Sequence, residues 1–227
     1  MAIAIDAVST GGQANPGTSL TWSHTCTGSN RILWVGVSYE TASTTVTGVT
    51  YNGVAMTGLT ASAIGTGCGA SQLWYLVAPA TGANNIVVTA SASTAHLTGD
   101  AASYTGASQT GVPDSQNAGV AVATSPLVMA TTVVASNCWL VGFSDNNTGG
   151  ATAGTGTTIR QQGSDASTLV DSNGTVGTGS QSLQLVGVGF NWTYAVASFK
   201  PVAAATTTSS STSSSSTSTS TSTSTST

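Results

Sequence analysis

Val46-Thr47-Gly48-Val49-Thr50-Tyr51-Asn52-Gly53-Val54-Ala55-Met56-Thr57-Gly58-Leu59 is the stretch that decides the fold. Two runs rich in β-branched and aromatic residues flank an Asn-Gly pair. Asn-Gly supplies the two positive-φ residues of a type I′ turn, whose twist matches that of the strands it joins. The stretch therefore predicts a β-hairpin with residues 52 and 53 at its tip. Just upstream, residues 31–39 are apolar on both parities, with Leu33, Val35 and Val37 set against Ile32 and Trp34. That pattern predicts a central strand covered on both faces. Earlier still, Leu20, Trp22 and His24 alternate with hydroxyl residues, and Ile3 and Ile5 alternate with small ones. Downstream, residues 72–77, 86–91, 97–105, 127–135, 138–144, 182–190 and 192–199 repeat the strand signature, with weaker runs near Val120 and between 157 and 170. No segment sustains an apolar period of 3.6. About ten to thirteen short strands, with turns roughly every eight to twelve residues, indicate an all-β protein. The expected architecture is an antiparallel two-sheet β-sandwich of jelly-roll type, one domain over residues 1–201. Its expected core is Leu33, Trp34, Val35, Val37, Leu76, Val88, Leu140, Val141, Val186 and Val196.

One internal echo is present. Ser29-Asn30-Arg31-Ile32-Leu33-Trp34-Val35-Gly36-Val37-Ser38 resembles Ser136-Asn137-Cys138-Trp139-Leu140-Val141-Gly142-Phe143-Ser144 with one residue deleted. Two readings stand: equivalent strands of two halves, or convergent strand composition.

Composition narrows the function. Of 227 residues only 4% are charged, against about 25% in ordinary domains. The net charge is −4, and the three basic residues are Arg31, Arg160 and Lys200. They cannot form a basic footprint, so nucleic acid is not an expected partner. No apolar run reaches the roughly 20 residues of a membrane-spanning helix, and no membrane partner is expected. Residues 202–227 form a separate low-complexity segment, exclusively Ser and Thr from 206 onward. With no apolar group to bury, it is expected to extend as a tail and to order only through assembly or modification. The N-terminus lacks the basic and long apolar regions of a secretory signal, and Met1 favours assembly in a cytoplasm. Cys26, Cys68 and Cys138 are an odd count, which argues against a full disulfide framework. Cys138 reads as a buried thiol in a strand, while Cys26 and Cys68 lie in Thr/Gly-rich loops where a bridge between them stays open.

A chain of short motifs runs through the body in order. Asn30-Arg31-Ile32-Leu33-Trp34-Val35-Gly36-Val37-Ser38 is followed by Val49-Thr50-Tyr51-Asn52-Gly53-Val54-Ala55-Met56-Thr57. Then come Leu73-Trp74-Tyr75-Leu76-Val77-Ala78-Pro79-Ala80-Thr81-Gly82, Ile86-Val87-Val88-Thr89 and Ser103-Tyr104-Thr105-Gly106-Ala107-Ser108-Gln109-Thr110, with Ala195-Val196-Ala197-Ser198-Phe199-Lys200-Pro201 at the close. In these motifs the body resembles the Gly/Thr-rich β-sandwich modules of bacteriophage structural proteins and bacterial surface proteins. The resemblance implies a structural or surface role and brings no catalytic residues. The Ser/Thr tail is not part of it.

The residues offer little catalytic chemistry. A nucleophile triad needs a base, and the two histidines, His24 and His96, accompany no Gly-x-Ser-x-Gly elbow. His24 is expected at a sheet surface or edge, and His96 in a loop or strand start. Neither His-x-x-x-His nor Cys-x-x-Cys occurs, so no zinc site is expected. Glycoside hydrolysis needs two flanking carboxyls. The chain has one Glu, Glu40, and six Asp; Asp100 lies beside small residues and could face inward, and Asp114, Asp145, Asp165 and Asp171 are expected to serve turns. Residues 145–150 and 171–175 are oxygen-rich like calcium loops, but each has one carboxylate, and ordinary loops are the alternative. Trp22, Trp34, Trp74 and Trp139 read as core. Trp74 and Tyr75 point to opposite faces, Trp192 and Tyr194 share one, and either pair could form a sugar-stacking platform. Asn146, Asn173 and Asn191 head glycosylation sequons.

The expectation is a non-enzymatic protein with no catalytic, cofactor-binding or metal residues and no cofactor. Its leading role is a structural surface protein of a bacteriophage virion, as capsid decoration or a head or tail fibre component. It would act through self-association as a homo-oligomer and by binding a major capsid or tail protein. Two alternatives are an extracellular bacterial adhesin or filament subunit at the cell surface, with a glycosylated Ser/Thr stalk, and a carbohydrate-binding module for host-surface glycans.

Overall fold

The computed structural model of the chain describes residues 1–40, 43–163, 166–187 and 190–203. The expectations for the tail beyond Ala203 and for Asp165 lie outside the described residues. Seventeen strands and no helix run through the described residues. The first nine are β1 (Ala4–Ala14), β2 (Gly17–Cys26), β3 (Ile32–Tyr39), β4 (Val46–Tyr51), β5 (Val54–Ala55), β6 (Thr57–Gly58), β7 (Ala70–Val77), β8 (Gly82–Thr94) and β9 (Leu97–Thr105). The other eight are β10 (Ser115–Ala121), β11 (Leu127–Val133), β12 (Trp139–Asn146), β13 (Thr152–Ala153), β14 (Thr158–Gln162), β15 (Thr168–Asp171), β16 (Gly179–Val186) and β17 (Trp192–Phe199).

The Asn52-Gly53 pair sits at a hairpin tip. Both residues have positive φ, 50° and 75°, and Tyr51 pairs with Val54 across them. The strands form four antiparallel sheets, none closed, ordered β2-β8-β4-β5, β1-β9-β3-β7-β6, β10-β17-β12-β15-β14 and β11-β16-β13. Three apolar clusters join them into a stack in that same sequence. The first packs Leu20, Ile86 and Val88 against Leu33, Val35 and Val37. A second packs Ile32, Trp34 and Tyr104 against Trp139, Phe143 and Phe199. The third packs Leu140, Val170 and Val196 against Met129, Leu183 and Leu185. The β-sandwich expectation thus holds at the coarse level, with four sheets in place of two.

Layer position explains the strand patterns. An outer strand has one face in water, so β2 alternates strictly, with Leu20, Trp22, His24 and Cys26 buried and Thr21, Ser23 and Thr25 exposed. Strands β3 and β12 are buried at every position because each lies between two layers. Of the ten expected core residues, eight are buried. Leu76 is half-buried. Val186 is exposed at 38%, because the pairing of β16 with β11 turns Leu183 and Leu185 inward and its own parity outward.

Strand order repeats. In both inner sheets the first strand of its half pairs with the last, and the last with the third. In both outer sheets the second strand pairs with the penultimate, and that with the fourth. The two echo segments fall on the equivalent strands β3 and β12. Their aligned glycines face opposite layers, however. A Cβ on Gly36 would meet Phe143 of the facing inner sheet, whereas one on Gly142 would meet Leu183 and Met129 of the outer sheet. A one-residue slip inverts facing, so the echo matches in composition but not in orientation.

The stack has two distinct ends. Strand β1 starts, and β17 ends, beside Ile32, Tyr104 and Trp139. At the other end lie Tyr39, Leu97, Asn146 and Trp192. Eight-residue inner strands separate the ends by about 25 Å at roughly 3.3 Å per residue.

Candidate functional site

Between the two inner sheets, side chains grade from apolar to polar. At the end where the chain begins, Tyr104 lies edge-on to Trp139 at 5.8 Å and 5.1 Å from the Phe199 ring. At the far end the facing residues are Ser38, Ser71, Asp145 and Thr193, all buried. Polar groups removed from water must find partners, and here the partners come from the opposite half. Ser38 Oγ donates to Asp145 Oδ2 at 2.5 Å, and the Gly69 N–H donates to the same oxygen at 2.9 Å. The hydroxyls of Ser71 and Thr193 pair at 2.9 Å. Ser167 Oγ donates to Asp100 Oδ2 at 3.0 Å. Nearer the apolar end, Tyr104 donates to Asp171 Oδ2 at 2.9 Å, which also takes Arg160 Nε at 2.7 Å. Burial raises the Asp145 carboxyl above its usual range, against the bonds from Ser38 and Gly69 that lower it.

The loops beyond this polar end are tied to one another, and through Asn191 and Thr66 across the halves. Asn191 Nδ2 donates to the Thr66 carbonyl, the Asn191 N–H donates to Asn147 Oδ1, and Asn146 Nδ2 donates to the Ala166 carbonyl. They frame a cavity of about 280 Å³ lined by Glu40, Gly67, His96, Asn147, Thr148 and Ala166, among others. His96 Nε2 stands 3.5 Å from Glu40 Oε2, and the Gln13 side-chain amide bonds His96 Nδ1. With the amide donating to Nδ1, Nε2 of the neutral ring carries the proton, within ion-pair reach of the carboxylate but not hydrogen-bonded to it. The Glu40 N–H bonds the His96 carbonyl at 3.2 Å and Thr94 Oγ1 at 3.1 Å, which fixes the two backbones side by side.

The other expected residues are placed as follows. His24 is buried rather than at a sheet surface; Ser9 Oγ lies 2.8 Å from its Nδ1, its Nε2 has no partner, and burial pulls its pKa down to about 4. Asp114 serves the 134–135 turn, accepting from the Val134 and Ala135 N–H groups. Asp100 faces inward, and Asp145 is buried between sheets, which corrects its expected turn placement; Asp171 is buried too, yet also serves its turn by accepting from the Asn173 N–H. The two calcium-like loops spend their oxygens internally: Asn146 Oδ1 accepts from Thr148 and Gly149 N–H, and Asp171 Oδ1 from the Asn173 N–H. All three cysteines are buried free thiols, so Cys26 and Cys68 are not bridged. Burial pushes Cys68 and Cys138 up to about 12.

All five tryptophans are buried, including Trp192, so neither expected aromatic platform is present as a tryptophan face. Trp74 and Tyr75 do pack into different layers, and Trp192 and Tyr194 into one. Among the sequon asparagines Asn173 is exposed, Asn191 is half-buried and Asn146 is buried. Sequence reasoning weighed Glu40 and His96 separately and missed that they meet. The signal available was weak: each directly abuts the end of an inner strand, and β3 and β9 are neighbours. Two other cavities, of about 320 and 490 Å³, lie between β10 and β11 and beside Met1, Ile3 and Pro201. Compared with family models, curated proteins and solved structures, the chain matches none.

Proposed function

We propose that this chain is a non-enzymatic structural surface protein of a bacteriophage virion, a capsid decoration or a head or tail fibre component. The observation that carries the proposal is how the polar groups are used. Asp6, Asp100, Asp114, Asp145 and Asp171 all accept bonds that tie strands or turns together. A nucleophile held by a base is not found among the described residues; the one Ser–His contact, Ser9 with His24, is enclosed between layers. What remains for other molecules is a hydroxyl-rich surface of low charge, suited to contact through shape, backbone pairing and apolar area. The strand order of the second half supports a jelly-roll assignment, since first–last–third–sixth in one sheet against second–seventh–fourth in the other is how that fold divides eight strands. The nine-strand first half likewise pairs first with last and last with third, and second with penultimate and penultimate with fourth. Strands β1, β10 and β11 each end a sheet, and sheet-edge strands are the natural place for pairing with a further copy or with a major capsid or tail protein.

Immunogold labelling of purified particles with antibody against the folded body tests the proposal. Regular labelling of the particle surface is expected. Label confined to the soluble fraction would overturn it.

A further inference from the structure

We infer that the Glu40–His96 cavity is a binding site for a neutral saccharide, one that presents adjacent hydroxyls. The inference rests on the surface role proposed above in one respect: the cavity lies about 25 Å from where the body's first and last strands leave it, at the pole a tethered body turns outward. The rest of the argument is chemical.

The cavity, at about 280 Å³, is near the lower limit of about 300 Å³ for small-molecule sites, which suits one or two sugar rings. Its described lining carries no Lys or Arg, and Glu40 faces into it with Asp145 buried behind. A phosphate, sulfate or carboxylate ligand would therefore meet repulsion. The described lining has no large apolar side chain, so an acyl chain or an apolar peptide side chain would gain nothing there. A divalent cation needs six or more oxygens and several carboxylates for tight binding. Here Asp145 is occupied by Ser38 and Gly69, leaving Glu40 as the one carboxylate at the mouth.

What the site does offer is a mixed set. Glu40 is an acceptor, His96 Nε2–H a donor, and Asn147 Nδ2 a donor with no bond to the protein among the described residues. Thr148 Oγ1 donates to Asn147 Oδ1 at 3.2 Å and keeps its own lone pairs. A hydroxyl both donates and accepts, so two adjacent hydroxyls match a carboxylate beside an amide. The set is also held in advance of binding. Asn147 Oδ1 is fixed by the Asn191 N–H at 2.9 Å, Gln13 orients His96, Asn146 holds the Ala166 carbonyl, and Asn191 ties this loop to Thr66 of the other half. Preorganisation lowers the ordering cost that weak polar sites otherwise pay.

The test is an array of neutral hexose and N-acetylhexosamine oligosaccharides probed with the full chain, followed by titration calorimetry on the retained ligands. Wild type, Glu40→Gln and Asn147→Ala are compared, each with a thermal melt. The expected result is retention of a subset of neutral glycans, unaffected by a chelator. Each variant should weaken binding at least tenfold with an unchanged melting temperature. Retention of no neutral glycan would overturn the inference, as would binding lost to the chelator or undiminished in both variants. None of these outcomes depends on whether particles carry the protein, so failure here and failure of immunogold labelling are separable.

Discussion

His24 sits between β2 and β1 with its Nε2 enclosed and unpartnered, and its neutral form is the one the fold accepts. Its folded pKa is about 4, against an ordinary value of about 6.5. As pH falls from 6.5 to 4 the unfolded chain takes up a proton that the folded chain refuses. Stability is therefore lost across that window, by about 3 kcal/mol for this group. Denaturant melts of wild type and His24→Asn at pH 7 and pH 4.5 check this; the wild type should lose more stability than the variant. Asp145 runs the other way. Its folded pKa is raised, so its protonated form is favoured in the fold, and its contribution falls as pH rises through that raised value. Asp145→Asn should keep an acceptor for Ser38 and Gly69 and raise the melting temperature at pH 7. In the third apolar cluster, Leu140 is fully buried, and Leu140→Ala should cost about 2–5 kcal/mol in denaturant unfolding. Residue identity made the inward face of β3 legible in the sequence, yet it misplaced His24 and left Trp192 open. Both are residue types common at surfaces and interiors alike, and their burial follows from layers the local pattern does not report.

At the scale of elements, the hairpin and the doubly covered strand were readable because each rests on a local rule. Asn-Gly needs only its own two positive φ angles, and Gly53→Val should cost about 1–2 kcal/mol because a β-branched residue at φ 75° is strained. The number of layers was not readable from any one strand. Residues 138–144 are apolar on both parities, as residues 31–39 are, and two doubly covered strands in different sheets require more than two sheets. The close approach of those sheets depends on Gly36, where an added Cβ would lie 2.1 Å from Phe143 Cδ2. Gly36→Ala should therefore force the inner sheets apart at the cost of about 1–3 kcal/mol, read as a lowered melting temperature. The Glu40–His96 pair belongs to this scale too. It is made by the pairing of β3 with β9, a long-range event for which the residues near either side chain carry no mark.

For the whole molecule, the stack is a body whose first strand begins and last strand ends at one pole, with polar loops at the other. The segment from residue 206 onward consists of Ser and Thr and so offers no large apolar side chain to bury, while ordering each residue costs about 1–2 kcal/mol. Its contribution is therefore expected in assembly, where Thr-rich segments of neighbouring copies can pair as strands with every backbone donor available. The most direct measurement compares the full chain with one ending at Ala203, by thermal melt and by quantitative co-sedimentation with particles. The account predicts equal melting temperatures, with the full chain on particles and the shortened chain largely lost from them. Absence of the full chain from particles, or equal incorporation of the two, would contradict it.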